Sequence, residues 1–128
     1  MLVFEYTFEG LIPSKKNSKT IRCYGGRPCL FPSKAFKSWH ELQQYPMKLA
    51  REDQGITEPI KETKFIRLSF TSGTMRKWDL TNKAESVMDF LVDMKIIEDD
   101  NVFVCPEVIL SFKGVEKGVN ECRVEIVV

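Results

Sequence analysis

The stretch that decides the fold is residues 80–94, which reads LTNKAESVMDFLVDM. Its apolar side chains recur every three or four residues, the spacing of one face of an α-helix. This apolar stripe consists of Leu80, Ala84, Val87, Leu91 and Met94. Lys95 follows with the positive charge that suits a helix C-terminus. The sequence therefore predicts an amphipathic helix from about Leu80 to Lys95.

Alternation of apolar and polar residues predicts strands on both sides of this helix. Before it, the pattern occurs at residues 2–9 and again around Ile66, Leu68 and Phe70. After it, Val102–Phe112 and Glu121–Val128 are predicted as two strands. A short glycine-containing loop separates these two, which favours a hairpin.

A small hairpin and a second helix are predicted between the first two strands. Residues 20–31 surround a Gly-Gly turn, and Ser33 can cap a helix that runs to about Arg51. Pro46 should kink this helix or end it early. The apolar residues near helical spacing are Phe36, Trp39, Leu42 and Leu49.

The resulting order is β-α-β-α-β-β plus a small N-terminal hairpin. This order predicts the α+β class, in two layers: a four-stranded mixed sheet with two helices packed on one face. The chain has 128 residues, 43% of them hydrophobic, which fits a single domain over residues 1–128.

Membrane and secretory signals are not recognisable in the sequence. No apolar run approaches the roughly 20 residues that span a bilayer, and the N-terminus lacks the features of a signal peptide. The four cysteines are too scattered for a zinc module. They are Cys23, Cys29, Cys105 and Cys122. We expect a cytoplasmic protein with no membrane partner.

Charge is segregated along the chain, although the net charge is only +1. Residues 1–40 hold seven bases and two acids, whereas residues 85–107 hold seven acids and one base. A metal-dependent nuclease needs both, because bases bind phosphates and carboxylates bind the metal. Two solvated segments that never meet would give the same pattern.

The candidate chemistry lies at the two ends of the central helix. Asp79 precedes the helix, and Asp99 and Asp100 follow it. If these connections meet at one sheet edge, Asp79, Asp100 and either Glu85 or Asp99 could bind Mg²⁺, which activates water for phosphodiester hydrolysis. The alternatives are a helix cap at Asp79, a capping-box-like pair of Asn82 with Glu85, and turn chemistry after the helix.

A family resemblance rests on this same block. Residues 79–82 read Asp-Leu-Thr-Asn, Asp89 follows on the helix, and residues 96–102 carry Asp-Asp before an apolar residue. Upstream, residues 13–18 read Pro-Ser-Lys-Lys-Asn-Ser. The chain thus resembles the RusA-type Holliday-junction resolvases, whose pattern is Asp-Leu-Asp-Asn, a basic residue and Asp on a helix, then Asp-Asp, with an upstream Pro-Ser-x-Asn loop.

The resemblance implies a metal-dependent endodeoxyribonuclease that binds and symmetrically cleaves four-way DNA junctions during recombination and repair. It implies Mg²⁺ as cofactor, with Mn²⁺ as the alternative ion and no other small-molecule cofactor, and branched DNA and a second copy of the chain as partners. The implied metal ligands are Asp79, Glu85, Asp99 and Asp100, and the implied catalytic residues are Asp79, Glu85, Asp100 and Lys83.

Two positions depart from the family pattern. Thr81 replaces the second aspartate, and Glu85 stands where the family has a helical lysine. Glu85 could return the lost carboxylate and Lys83 the lost cation. The alternatives are a catalytically inert nucleic-acid-binding module of the same fold, and a domain that binds a small ligand or a protein.

Basic residues beside the family-like segments are the candidate DNA contacts. They are Lys15, Lys16, Asn17, Lys19, Arg22, Arg76 and Lys77, Asn17 being the one uncharged member. Trp78 could stack on an unpaired base or pack in the core. His40 is expected to be a surface or core residue rather than a general base.

Overall fold

The protein has two layers, a four-stranded sheet and a pair of helices on one of its faces. The computed structural model describes residues 1–14, 19–32 and 34–128, with 19–24 and 27–32 described by their backbone. The elements are β1 (Leu2–Glu9), β2 (Lys19–Tyr24), β3 (Arg27–Pro32), α1 (Lys34–Asp53), β4 (Phe65–Ser72), α2 (Leu80–Asp93), β5 (Val108–Val115) and β6 (Glu121–Val127).

The sheet is mixed, with the strand order β1-β6-β4-β5. β6 pairs antiparallel with both β1 and β4, whereas β4 and β5 are parallel. β2 and β3 form a separate antiparallel hairpin. These features confirm the predicted α+β class, the mixed four-stranded sheet and the small N-terminal hairpin.

The predicted hairpin between the last two strands is wrong. β4 lies between β5 and β6, and Ile66 and Ser72 of β4 stand beside Val108 and Val115 of β5. A parallel pair needs a crossover connection, and α2 provides it. β4, α2 and β5 thus form one β-α-β unit.

The strand predicted to begin at Val102 begins at Val108 instead. The side-chain oxygen of Asn101 accepts hydrogen bonds from the backbone N–H groups of Phe103 and Val104, at 3.0 and 3.1 Å. These bonds hold residues 101–104 in a turn. A side-chain acceptor of this kind competes with strand pairing for the backbone donors.

The core fills the space between the sheet and the helices. Phe8 of β1, Trp39 of α1 and Phe90 of α2 contact one another with ring centres 5.3–5.7 Å apart. The stripe of α2 is buried as predicted at Ala84, Val87 and Leu91, with Leu80 and Met94 packed against it.

Two of the four apolar residues predicted for the buried face of α1 are buried, and the other two are exposed. Phe36 and Trp39 are buried, but Leu42 and Leu49 are 74% and 42% exposed, and Met47 is fully buried in their place. α1 also continues through Pro46 to Asp53 instead of ending early. Pro46 removes the bond to the carbonyl of Leu42, and that residue lies on an exposed face where water can replace it. In the described part of the chain, neither helix has the length and apolarity needed to cross a bilayer.

Three hydrogen bonds gather the connections at one end of the sheet. The buried Ser86 hydroxyl of α2 donates to the carbonyl of Pro13 at 2.8 Å. Asn120 accepts from the N–H of Gly10 through its backbone and from the N–H of Gly73 through its side chain. A Cβ at Gly73 would lie 3.1–3.3 Å from Asn120 and Val119 atoms, which explains a glycine at this close approach. This end of the sheet carries the candidate site.

Candidate functional site

A cleft of about 1160 Å³ opens where β4 passes into α2. One wall is the loop after β1, a second is the start of α1, and a third is the connection from β4 to α2. The end of β5 closes the fourth side. The cleft therefore draws on four segments that lie far apart in the sequence.

Cationic side chains dominate the charge of the cleft. Arg76, Lys77 and Lys83 line it, and among the described residues Asp79 is the one carboxylate in the lining. None of the three cations forms an ion pair with a carboxylate within the residues that the structure describes. Burial and the neighbouring charge of Arg76 lower the pKa of Lys83. Like charges held together without a counter-ion favour an anionic ligand.

Trp78 lies at the centre of this group. Its ring centre is 5.5 Å from that of Phe70 and 5.7 Å from that of Phe112, and the Lys83 ammonium lies over its face at 4.7 Å. Trp78 is half-buried and also lines the cleft. Trp78 therefore packs on the core, as one of the two interpretations expects, and it also forms part of the cleft wall. Stacking on an unpaired base stays a prediction.

Asp79 occupies the N-cap position of α2 but does not cap the helix with its side chain. Its carboxylate accepts a 3.1 Å hydrogen bond from the side-chain amide of Asn82. Asn82 is thus paired with Asp79 rather than with Glu85. The first amide groups of α2 lack a side-chain cap, so the positive end of the helix dipole faces the same region as the three cations.

The acidic turn after α2 is organised by its own hydrogen bonds. The Asp99 carboxylate accepts from the backbone N–H of Asp100 at 2.8 Å and from the amide of Asn101 at 3.0 Å. These bonds lower the pKa of Asp99. Partial burial, the hydrogen bond with Asp99 and the charges of Asp89 and Asp99 raise the pKa of Asp100. The turn chemistry considered from the sequence is therefore present at Asp99 and Asn101.

Asp79, at the start of α2, lies apart from Asp99 and Asp100, in the turn after α2, within one chain. Asp79 follows the C-terminal end of β4, whereas Ile97 bridges to Ile60, ahead of the N-terminal end of β4. The charge of Asp89 contributes to the raised pKa of Asp100, so these two carboxyl groups are neighbours. Asp89 comes ten residues after Asp79, which is about 15 Å along a helix axis. Among the described residues, no three histidine, cysteine, aspartate or glutamate side chains are grouped to hold a metal ion.

The remaining predicted site residues take different positions. Lys83, Arg76 and Lys77 line the cleft, whereas Glu85 is exposed on α2 outside the cleft lining. Lys15, Lys16 and Asn17 lie outside the described residues. Lys19 and Arg22 belong to β2, where the description covers the backbone alone.

His40 joins the two helices. Its Nε2 lies 3.0 Å from a carboxylate oxygen of Asp93, and its Nδ1 lies 2.9 Å from the side-chain nitrogen of Gln44. Because Gln44 donates to Nδ1, Nε2 carries the proton that reaches Asp93. His40 thus forms a contact between α1 and α2.

Sequence reasoning missed the apolar part of the cleft. Leu11, Met75 and Phe112 line it with exposed side chains, and Trp39 lines it with a buried one. The sequence placed Trp39 on the apolar face of a helix, and this position does not distinguish a residue of a binding site from an ordinary core residue. Comparison of the sequence with protein-family models gives no match, and comparison with curated proteins gives none either.

Proposed function

We propose that this chain binds branched DNA and cleaves it as a metal-dependent endonuclease of the RusA type, acting on four-way junctions in recombination and repair. One observation carries the proposal: Arg76, Lys77 and Lys83, which form no ion pair within the described residues, line a cleft beside Asp79 at the N-terminus of α2. DNA carries a negative charge on every phosphate, and both lysine or arginine side chains and helix N-termini bind phosphate.

The four candidate metal ligands lie at different places on the chain. Asp79, Glu85, Asp99 and Asp100 do not fit a single ion within one chain, so we assign no step of the reaction to a metal. The second candidate function is therefore a catalytically inert nucleic-acid-binding module of the same fold. The missing three-ligand group in the described residues favours it. The family resemblance of residues 79–100 and the place of Asp79 in the cleft lining favour the nuclease.

The proposed partner of the chain is a second copy of itself, in the cytoplasm. A four-way junction has approximate two-fold symmetry, and its resolution takes two matched cuts. One chain offers one Asp79 and one cationic cleft in its described residues. A two-fold dimer would supply the second cleft at a fixed separation. Sedimentation at micromolar concentration tests this, and a strict monomer with and without junction DNA would contradict it.

A cleavage assay on a synthetic four-way junction tests the function directly. The reaction is run with Mg²⁺, with Mn²⁺ and with a chelator, and linear duplex and flap DNA serve as controls. Paired metal-dependent cuts in the junction support the nuclease. Salt-dependent binding without cuts supports the inert module, and absence of salt-dependent DNA binding contradicts both. Asp79→Asn should remove the cuts, whereas Asp53→Asn, at the exposed end of α1, should not.

A further inference from the structure

The apolar mouth of the cleft is a feature that phosphate binding does not explain. Among the described residues, four apolar side chains line it and remain exposed: Leu11 by 71%, Met75 by 82%, Phe112 by 49% and Val115 by 45%. Clustered apolar side chains on a protein surface mark binding sites for apolar groups. The ligand of this cleft therefore has an apolar part as well as a negative charge.

The indole of Trp39 adds a hydrogen-bond donor to the same cleft. Trp39 lines the cleft and is 6% exposed, and its Nε1 has no acceptor within the described residues. Buried N–H groups in native proteins nearly always have an acceptor, and an exception calls for a specific explanation. A ligand with an acceptor on an otherwise apolar body supplies that explanation.

We infer that the cleft binds one unpaired nucleotide of the DNA, with its base at the apolar side chains and its phosphate at Arg76, Lys77 and Lys83. A nucleobase has flat apolar faces that can lie against the apolar side chains, and every base carries hydrogen-bond acceptors on its edge. A cleft of about 1160 Å³ has room for a nucleotide. A phosphate of a continuous duplex could bind the three cations, but it would leave the apolar side chains of the cleft without a partner.

This inference rests on the proposed binding of branched DNA, and it names the part of that DNA which the cleft recognises. When the arms separate at the branch point, the bases there lose a stacking neighbour, so a base can leave the helix there at a lower cost than inside an arm. The cleft would then distinguish the branch point from the arms, whose phosphates carry the same charge.

The test compares junctions with and without bases at the branch point. Affinity is measured by fluorescence anisotropy in the presence of a chelator, so that binding is separated from cleavage. Removal of the branch-point bases should weaken binding to the unmodified protein about 10-fold, within the range reported for base–aromatic contacts. Removal of the same number of bases inside an arm should leave the affinity unchanged.

Protein variants place the effect in the cleft. Phe112→Ala and Trp39→Phe, which keeps a ring in the core but removes the N–H donor, should each reduce the 10-fold difference between the two junctions. Tyr45→Ala is the matched control, because Tyr45 is 70% exposed on α1 and does not line the cleft. If a cleft variant does not fold, the comparison of junctions with the unmodified protein still decides.

Three outcomes overturn the inference in distinguishable ways. Equal affinity for the intact junction and for the junction without branch-point bases overturns the nucleotide pocket and leaves the DNA-binding function standing. Failure to bind either junction overturns both. Tighter binding to phosphatidylglycerol vesicles than to junction DNA, lost in Phe112→Ala, would identify the cleft as a lipid site and also overturns the inference.

Discussion

The ammonium group of Lys83 lies 4.7 Å from the ring centre of Trp78, half-buried and close to the charge of Arg76. The ring attracts the cation, but burial and Arg76 both disfavour its charge, as the lowered pKa of Lys83 records. The charge is thus held where it costs the folded state stability, a feature typical of binding sites.

Replacement of Lys83 should separate stability from binding. Lys83→Met keeps the apolar stem and removes the disfavoured charge, so we expect an unchanged or higher melting temperature. DNA binding should weaken, and the slope of log K against log salt should fall by about one unit for the lost phosphate contact. Lys48→Met, at an exposed position of α1, should change neither quantity. A clearly lower melting temperature for Lys83→Met would show that this charge stabilises the fold.

The lowered pKa of Lys83 also predicts the pH dependence of binding and stability. Lys83 should lose its proton below the ordinary value of 10.5, before the exposed lysines do, and DNA binding should weaken in that alkaline range. The unfolded chain holds this proton more tightly than the native chain, so the contribution of Lys83 to stability rises with pH between the two pKa values. Anisotropy and thermal melting across alkaline pH measure both effects. A binding curve identical to that of Lys83→Met would refute the assignment.

Asp79 should be needed for cleavage and unfavourable for binding. Asp79→Asn removes the negative charge that Asp79 places in a cationic cleft, so we expect tighter DNA binding together with loss of cuts. The fold should persist, because the carboxylate does not cap α2 and an asparagine oxygen can still accept from Asn82. Gel-shift titration and the junction assay measure the two effects. Weaker binding by the variant would mean that Asp79 positions the cleft rather than acting in it.

Glu85 tests whether the chain compensates for Thr81. If Glu85 supplies the carboxylate that the family pattern has at the position of Thr81, Glu85→Gln should abolish cleavage and leave melting unchanged. Thr81→Asp in the same chain should then restore cuts. Normal cleavage by Glu85→Gln would make Glu85 an ordinary surface residue, consistent with its exposure outside the cleft lining.

Ser86 should hold the wall of the cleft in place. Ser86→Ala leaves the Pro13 carbonyl without this donor, and we expect a loss of about 1–2 kcal/mol in the free energy of unfolding. Because Pro13 lines the cleft, DNA affinity should also fall. Ser38→Ala, on the exposed side of α1, is the control in the same denaturation and binding measurements. Unchanged stability and DNA affinity of Ser86→Ala would show that this hydrogen bond does not hold the wall of the cleft.

The sequence predicted what depends on neighbouring residues and failed where distant segments meet. The stripe of α2 and the alternation of β1 are local patterns, and both elements form as predicted. The pairing of β6 with β4 instead of β5 depends on the whole sheet. The hairpin predicted from the closeness of the last two strands in the sequence is therefore wrong. In the site, Asp79 and Lys83 could be placed together because positions i and i+4 of a helix lie on the same side. Phe112 could not be placed beside them by any local pattern.

The position of β6 in the sheet governs how this protein can be made. β6 is the last of the described strands in the sequence, yet it lies between β1 and β4 and pairs with both. While a ribosome is still making the first hundred residues, neither of these strands has this neighbour, and their backbone groups remain available to other chains. The centre of the sheet closes only once residues 121–127 have left the ribosome. We therefore expect slow folding, since contacts between distant segments form late.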